Sequence, residues 1–586
     1  MKVIFQITSR PFSRFIRPTG LFLALSITWF LFGPGTRILA AAPDFGPNVL
    51  IFDPGMTNIQ SRVDEVFHKQ ERNQFGPDRF AYLFKPGHYD LDVQVGFYTQ
   101  VLGLGRSPDE VTITGAVRAK AQWMTRSNAT CNFWRCAENL SVVPTQDQGI
   151  NIWAVSQATA LRRLHVKGAL NLWDGGWSSG GFLADTKIDG QINSGSQQQW
   201  FSRNSEWSRW QGGSWNMVFV GTVNPPEGNW PEAPYTVIEQ TPIIREKPFL
   251  LLDGHGDYFV FVPSLNTNGA RGLTWSQERP TPGTSIPLEN FYLAQPRTDT
   301  ASTINSALNQ GKHLLLTPGI YHLEDAIRVI RPETIVLGLG YPTLRPTNGT
   351  AALRLRDVDG IKVGGILFEA GSSNSPTLVQ VGEPGGRASH SADPIFLWDI
   401  FCRVGGAQAG QADCMLTINS SDVVGDNFWL WRADHGRGAG WNSNPNKNGL
   451  VVNGDNVTLY GLFVEHCQEY QTLWNGNGGR VYFYQSEMPY DPPSQDAWHH
   501  GEINGFASYK VADSVSSHQA WGLGIYCVFY AAPVLAENAI ETPDRPGIQM
   551  RHMVTIRLSG QKNSGISHVI NGKGASVITT RKAVVD

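Results

Sequence analysis

The sequence predicts an all-β protein in which two parallel β-solenoids follow one another along a single chain. The main observation is an internal repeat, which is typical of repetitive architectures. Residues 83–89 read Leu-Phe-Lys-Pro-Gly-His-Tyr, and residues 315–321 read Leu-Leu-Thr-Pro-Gly-Ile-Tyr. Each copy is followed by the same sequence, Val-Leu-Gly-Leu-Gly, at 101–105 and again at 336–340. Because the module occurs twice, we expect two related halves.

Short apolar runs separated by polar turns favour a solenoid within each half. A helical-looking run precedes each copy of the module, at 59–67 and at 304–308. The later runs are separated by turn-forming Asn, Asp and Gly residues. A β-sandwich or a propeller is the structural alternative, but a propeller would repeat its module many times rather than twice. The predicted strands include 111–113, 335–337, 361–368, 416–418, 423–430, 450–452, 457–463 and 481–484.

The repeat also predicts the domain organisation. Pro and Gly are dense between the two halves, as in connecting segments. The runs 249–252 and 258–262 are strand-like, so this connection is expected to be a structured bridge. The predicted regions are a signal peptide at 1–42, a first β-helix at 43–225, a bridge at 226–297, and a second β-helix at 298–586 that carries the catalytic acids.

The N-terminal segment predicts export. Basic residues precede the apolar stretch 21–32, and three alanines at 40–42 follow it, which is the pattern of a secretory signal peptide. The alternative is an uncleaved N-terminal anchor, although the apolar stretch is short for a membrane-spanning helix of about 20 residues. No later segment is long and apolar enough to span a bilayer. We therefore expect a secreted, extracellular protein, with no membrane contact beyond that possible anchor.

Charge and composition favour a neutral polymer as the partner. The net charge of −3 over 586 residues supplies no basic surface for nucleic acid. The 19 Trp and 62 Gly residues suit a protein that grips sugar rings, although many of the tryptophans must serve core packing. The six cysteines are compatible with disulfides after export, with Cys131/Cys136 and Cys402/Cys414 as the first pairs to test. Their connectivity is left open by the sequence.

Two carboxylates suggest the chemistry. Glu465 and Glu487 each follow a strand-like run, and they lie 22 residues apart, about one solenoid coil. Neighbouring coils are roughly 4.8 Å apart, so both acids are expected on one face. Glycoside hydrolysis needs such a pair, separated by roughly 6.5–9.5 Å when the reaction inverts the anomeric centre. Tyr484 and Tyr490 are expected to flank Glu487 and keep it protonated, and His466 to orient Glu465 rather than bind a metal.

Three ordered motifs carry a resemblance to a known family. Residues 428–435 read Phe-Trp-Leu-Trp-Arg-Ala-Asp-His, 459–466 read Leu-Tyr-Gly-Leu-Phe-Val-Glu-His, and 484–490 read Tyr-Gln-Ser-Glu-Met-Pro-Tyr. In these motifs, and in the first-half segments 153–159, 180–182 and 197–204, the chain resembles glycoside hydrolase family 55. It departs from the family pattern at 48–57, where an opening Gly/Asp-rich motif is replaced, and at Ser486, where Thr is usual.

The resemblance implies two right-handed parallel β-helices side by side, with a cleft between them that binds β-1,3-glucan and cleaves it with inversion. By position, Glu487 matches the general acid and Glu465 the acid that helps to place the water. Tyr490 matches the aromatic residue beyond the acid, and Gln198 a water-contacting glutamine. Asp434 and His435 match retained residues near the site.

The remaining expectations concern substrate binding and the competing functions. Trp177 and Trp441 lie in Gly-rich segments and are predicted sugar platforms. We expect a monomer that uses no cofactor and no metal. A polysaccharide lyase or epimerase on the same fold is one alternative, although it would need clustered Lys, Arg or calcium ligands near the cleft. A non-catalytic glycan-binding solenoid is another, and fold alone does not decide among the three.

Overall fold

Parallel β-strands dominate the computed structural model, which describes residues 43–276, 280–386 and 388–586. The predicted signal peptide at 1–42 lies outside the described residues. The predicted fold class is confirmed, since the strands stack into two long parallel β-helices. No helix among the described residues is long and apolar enough to cross a membrane.

The first β-helix is built around one large sheet. Its central row runs β1-β2-β4-β6-β8-β10-β12-β14-β15, and every pair in the row is parallel. The strands are β1 Val49–Phe52, β2 Phe80–Phe84, β3 Gly87–Gln94, β4 Thr99–Gly103, β5 Val111–Arg118, β6 Arg135–Pro144, β7 Ile150–Ile152, β8 Thr159–Val166, β9 Ala169–Asn171, β10 Phe182–Ala184, β11 Lys187–Asn193, β12 Gln199–Arg203, β13 Glu206–Gln211, β14 Asn216–Val220 and β15 Tyr235–Ile238.

The bridge is a small antiparallel sheet, which agrees with the two strands predicted there. Its strands are β16 Phe249–Leu252, β17 Tyr258–Pro263 and β18 Gly283–Pro287. The strands of the first β-helix continue to Ile238, and those of the second β-helix begin at Phe291. The bridge between the two β-helices is therefore shorter than the predicted 226–297. The reason is that the Pro-rich stretch before Tyr235 is a loop between two paired strands, β14 and β15.

The second β-helix has two long sheets that alternate along the chain. One runs β19-β20-β23-β26-β28-β30-β32-β34-β38-β40-β42, and the other β22-β25-β27-β29-β31-β33-β37-β39-β41. The strands are β19 Phe291–Ala294, β20 His313–Leu316, β21 Ile320–Leu323, β22 Ile327–Val329, β23 Ile335–Gly338, β24 Thr343–Pro346, β25 Leu353–Leu355, β26 Lys362–Glu369, β27 Ser375–Val381, β28 Phe396–Val404, β29 Ala412–Ile418, β30 Val424–Arg432, β31 Asn446–Val452, β32 Thr458–Glu465, β33 Thr472–Trp474, β34 Gly479–Glu487, β35 His499–His500, β36 Ile503–Asn504, β37 Tyr509–Val511, β38 His518–Phe529, β39 Leu535–Glu541, β40 Ile548–Gly560, β41 Gly565–Ile570 and β42 Lys582–Val585.

One α-helix opens each half, as the repeat predicts. The first, α1, spans Ile59–Gln70, and the second, α2, spans Ala301–Asn309. Thr300 caps α2, because its side chain accepts a hydrogen bond from the Thr303 backbone N–H, which would otherwise be unpaired at the helix start. Both helices bury an apolar stripe, so each covers the first coil of its solenoid.

Buried charges and aromatic rings join the outer faces of the two β-helices. Asp426 of the second β-helix is fully buried and lies 2.7 Å from Arg162 Nη1 and 2.8 Å from Arg203 Nη2 of the first. Arg162 also pairs with Asp399 at 2.8 Å. Rings from both halves also pack against each other, including Phe201 against Phe483. Removing one partner of such a buried ion pair would leave an uncompensated charge in the interior, which strongly destabilises the fold.

All six cysteines are free thiols, so the disulfides expected from the sequence are not formed. Cys402 and Cys414 lie on strands of different sheets, β28 and β29, and their sulfur atoms face separate backbone carbonyls. Cys136 is buried in β6, whereas Cys131 lies in the preceding loop near His435. Short spacing along the chain was therefore not sufficient to predict a disulfide in either pair.

Candidate active site

The two predicted acids lie side by side at the ends of adjacent strands. Glu465 ends β32, Glu487 ends β34, and the parallel register places them directly opposite each other. Trp431 occupies the same position one coil earlier. The prediction that the acids lie in neighbouring coils on one face is therefore confirmed by the register. Both strands stop here because the chain turns: His466 has a φ of 65°, and Pro489 follows Met488.

A cavity of about 220 Å³ lies over these acids, and residues of both β-helices form its walls. It brings together six of the eight residues predicted from the sequence to form the site. The first β-helix supplies Thr130, Cys131, Phe133, Gln157, Ser179 and Gln198, and the second supplies Trp431, Asp434, His435, Glu465, His466, Glu487, Tyr490 and Leu558. The cavity is thus a feature of the interface between the two halves.

The surroundings of Glu487 favour its protonated form. Burial raises the pKa of Glu487 well above its usual value, and the negative charges of Glu465, Asp434 and Cys131 raise it further. The Tyr490 hydroxyl contacts Glu487 Oε2. A carboxyl group whose raised pKa favours the protonated form is suited to protonate a leaving group.

Tyr484 does not flank Glu487 as the sequence suggested. Its ring lies in the interior of the second β-helix, and its hydroxyl donates to the Ser508 carbonyl oxygen at 2.9 Å. The reason is the alternation of side chains along a strand, because residues three apart point to opposite faces. Tyr490, which lies beyond the end of β34, is free of that constraint.

Glu465 is fixed by donors from both β-helices. Gln157 Nε2 donates to its Oε1 at 2.7 Å, and Trp429 Nε1 donates to its Oε2 at 2.8 Å. Burial raises the pKa of Glu465 to about 7, although the hydrogen bonds from Trp429 and other donors oppose the shift. Hydrogen bonds therefore favour the charged form of Glu465, whereas the charge of Glu465 disfavours ionisation of Glu487, so the two environments suit a base and an acid.

His466 does not orient Glu465, contrary to the expectation from the sequence. Its ring Nδ1 lies 3.1 Å from the Met488 carbonyl oxygen, its backbone N–H donates to the Glu487 carbonyl oxygen, and its ring packs edge-on against Tyr490. Burial lowers the pKa of His466, so the ring is neutral at pH 7. His466 thus supports the segment that follows the predicted acid.

Asp434 and His435 form an ion pair in the cavity wall. His435 Nδ1 lies 2.9 Å from Asp434 Oδ1. Burial lowers the pKa of His435, but hydrogen bonds with Asp434 and Cys131 outweigh it and raise the value to about 10. Burial would raise the pKa of Asp434, yet His435 and His466 lower it to about 2. Gln74 Nε2 lies 2.6 Å from the other nitrogen of His435.

Of the three remaining residues predicted to bind substrate, only Gln198 lines the cavity. Gln198 lines the cavity, and its buried Oε1 has no hydrogen-bond partner within the described part of the chain. Trp177 is 59% exposed and lies two residues before Ser179 of the cavity wall, but it is not among the residues that line the cavity. Trp441 is not brought to the cavity, because its ring lies beneath the Arg432 guanidinium and packs against the core of the second β-helix.

Sequence reasoning missed Gln157, Trp429 and Cys131. The first two lie within the segments 153–159 and 428–435, so the signal for them was present, but only their contacts with Glu465 reveal a role. Cys131 was considered only as a disulfide partner. No group of three or more His, Cys, Asp or Glu side chains in residues 43–276, 280–386 and 388–586 is arranged to hold a metal ion.

Comparisons with known proteins agree with this geometry. Residues 291–487 match the family model described as the LAM55 pectate lyase-like domain. An exo-β-1,3-glucanase from Streptomyces sp. (strain SirexAA-E / ActE) is 49% identical over 564 residues, which covers 95% of this chain and 92% of the relative. The solved structure of sacteLam55A from Streptomyces sp. SirexAA-E is 49% identical, with a TM-score of 0.90, over 93% of this chain and 98% of that one. A variant of sacteLam55A in complex with glucose matches with the same TM-score of 0.90, the same 49% identity and the same coverage of 93% and 98%.

Proposed function

The chain belongs to glycoside hydrolase family 55 and is a glycoside hydrolase, and we propose that it is an exported, exo-acting β-1,3-glucanase that inverts the anomeric centre. β-1,3-Glucan as the substrate is supported by the relative named exo-β-1,3-glucanase, which matches 95% of this chain. The observation that carries the mechanism is the pair Glu465 and Glu487, opposite each other on adjacent strands in one cavity.

Each acid has an environment suited to one role in an inverting reaction. Glu487, whose pKa is raised by burial and by like charges, donates its proton to the glycosidic oxygen as the bond to the leaving sugar breaks. Glu465, held by Gln157 and Trp429, positions a water molecule on the opposite face of the sugar and accepts its proton. The unpaired Oε1 of Gln198 supplies a second acceptor for that water.

The size and lining of the cavity support cleavage at a chain end. Its volume of about 220 Å³ is below the roughly 300–1,000 Å³ of ordinary ligand clefts, which favours one terminal sugar over a long internal stretch. No Lys or Arg is among its lining residues, which disfavours the lyase and epimerase alternatives. Trp177, two residues before Ser179 of the cavity wall, is the proposed platform for the sugars that follow, because it is 59% exposed.

The proposed location and assembly state rest on the sequence. The basic, apolar and small-residue pattern of residues 1–42 supports export, and the net charge of −3 supports a neutral polysaccharide as the partner. We propose a monomer that works outside the cell.

The test is hydrolysis of laminarin by the purified protein, followed by product analysis. We expect glucose as the first product and no double-bond absorbance with a uronate polymer. Glu487→Gln should abolish most of this activity, whereas the exposed Glu289→Gln, a matched change outside the cavity, should not. Release of unsaturated uronates, or no reaction with any β-glucan, would refute the proposal.

A further inference from the structure

Gln485 is a buried amide beside the catalytic acids, and no step of the proposed mechanism uses it. It lies on β34, two residues before Glu487, and its side chain is fully buried. Neither its Nε2 nor its Oε1 makes a hydrogen bond of ordinary geometry to any of the described residues. Most buried polar groups are hydrogen-bonded, so an exception next to two acids points to a functional role.

The strand register places Gln485 beside Glu465. Phe463 pairs with Trp429 in the coil before it and with Gln485 in the coil after it. Trp429 and Gln485 therefore occupy equivalent positions on the two sides of Phe463, each roughly 4.8 Å from it. From its side, Trp429 Nε1 reaches the Glu465 carboxylate at 2.8 Å. Gln485 is thus placed to approach the same carboxylate from the opposite side.

The amide of Gln485 already acts on Glu465. Burial raises the pKa of Glu465 to about 7, whereas Gln485, like Trp429 and Gln157, lowers it. The amide is therefore near the carboxylate but not aligned with it. Catalytic hydrogen bonds are often long or poorly aligned until substrate binds. The Gln485 amide is thus available to tighten onto Glu465.

The Tyr526 hydroxyl is a second buried group without a partner, and it lies on the other side of Gln485. Gly524 pairs with Gln485 in the next coil, and a β-carbon at Gly524 would collide with this hydroxyl. The hydroxyl has no hydrogen-bond partner within residues 43–276, 280–386 and 388–586. Burial raises the pKa of Tyr526, and the charge of Glu487 raises it further, so the phenol keeps its proton and can donate it.

From this arrangement we propose that Gln485 is a positioning residue for the catalytic base. The Tyr526 hydroxyl donates to Gln485 Oε1, which turns Nε2 towards Glu465, and Nε2 donates to Glu465 when that carboxylate is charged. Trp429, Gln157 and Gln485 then hold the carboxylate from three directions. The inference rests on the proposed function, because it takes Glu465 to be the base that accepts the proton of the attacking water.

The test is the pH dependence of kcat/KM on laminarin for Gln485→Leu, which removes an amide without partners and should still fold. Glu465 must be ionised to act as the base, so its pKa sets the acid limb of the profile. Loss of a donor to the charged form should raise that pKa and move the limb to higher pH by about one unit. The loss of activity should therefore be about tenfold larger below the limb than above it. A purely structural defect would lower activity equally at every pH, and an acid limb at the wild-type pH would overturn the proposal.

A second pair of variants tests the hydroxyl. Tyr526→Phe keeps the ring and should move the acid limb in the same direction by a smaller amount. Tyr321→Phe removes another buried hydroxyl, which donates to the Ala294 carbonyl oxygen far from the cavity, and should leave the limb in place. An unmoved limb in Tyr526→Phe would refute the part given to this hydroxyl. All these variants retain the other titratable groups of the cavity, which are Cys131, Asp434, His435, His466, Glu487 and Tyr490.

A direct titration separates this inference from the proposed function. Infrared difference spectra against the matching Glu465→Gln variant report the pH at which the Glu465 carboxyl loses its proton. Gln485→Leu should raise that pH by about one unit, with or without hydrolysis of glucan. A shift in a protein that cleaves no glucan would refute the proposed function alone, and activity without a shift would refute the role of Gln485 alone.

Discussion

Replacing Glu487 with Gln separates the chemistry of the site from its architecture. The amide has nearly the shape of the carboxyl group, so the cavity stays intact while the proton donor is lost. General acid catalysis contributes a factor on the order of 10²–10⁴. At about 1.4 kcal/mol for each factor of ten, this corresponds to a barrier raised by roughly 3–5 kcal/mol. We expect kcat on laminarin to fall by that factor, measured as glucose released.

The leaving group supplies the internal control for this variant. An activated aryl β-glucoside needs little protonation to depart, so Glu487→Gln should lose much less activity on it than on laminarin. Equal losses on both substrates would indicate that the substitution damaged binding or folding instead. Turnover of laminarin close to that of the wild type would refute the assignment of Glu487 as the acid.

The same substitution should stabilise the fold at neutral pH. The folded-state pKa of Glu487 is raised, chiefly by burial, above the value of about 4.3 expected in the unfolded chain. The unfolded chain therefore loses its proton first, and the wild type loses stability as the pH rises from that value through the raised one. Gln carries no charge, so the melting temperature of the variant should exceed that of the wild type at pH 7 and match it near pH 4. An equal or lower melting temperature at pH 7 would contradict the buried, protonated state.

Four further outcomes follow from the structure. Glu465→Gln should lose most activity, and NMR of the first wild-type product should show inverted configuration, whereas a retained β-anomer would mean that a carboxylate attacks the sugar directly. Burial is the main cause of the raised pKa of Glu487, and the negative charge of Asp434 raises that pKa further, so Asp434→Asn should move the alkaline limb of the kcat/KM profile to lower pH. An alkaline limb at the wild-type pH would contradict this electrostatic coupling. Asp426→Asn removes the negative charge that faces two buried guanidinium groups and should lower the free energy of unfolding, measured in urea, by roughly 3–5 kcal/mol. A decrease below about 1 kcal/mol would refute the role given to the Asp426 ion pairs. Trp177→Ala should raise KM for long laminarin oligosaccharides while leaving kcat and thermal stability unchanged, since the ring is exposed, and an unchanged KM would remove Trp177 from the binding surface.

Features encoded by local spacing could be predicted from the sequence. A solenoid repeats its coil at a nearly constant length, so the 22-residue separation of Glu465 and Glu487 was sufficient to place them on adjacent strands. The two helices and the strands of the bridge also followed from patterns of a few residues. The same local logic, applied to the alternation of side chains, would have placed Tyr484 in the interior.

Contacts between the two halves could not be predicted in this way. Gln157 donates to Glu465 across 308 positions of sequence, and Cys131 faces His435 across 304. The periodic pattern of apolar residues does not predict contacts between residues so far apart in the sequence. The way in which two solenoids dock depends on the shapes and charges of their outer faces, including the ion pairs that Asp426 makes. The sequence by itself therefore determined the repeating fold and the two acids on one face. Only the tertiary structure decided what surrounds those acids, because their burial and their partners come from a second β-helix that is remote in sequence.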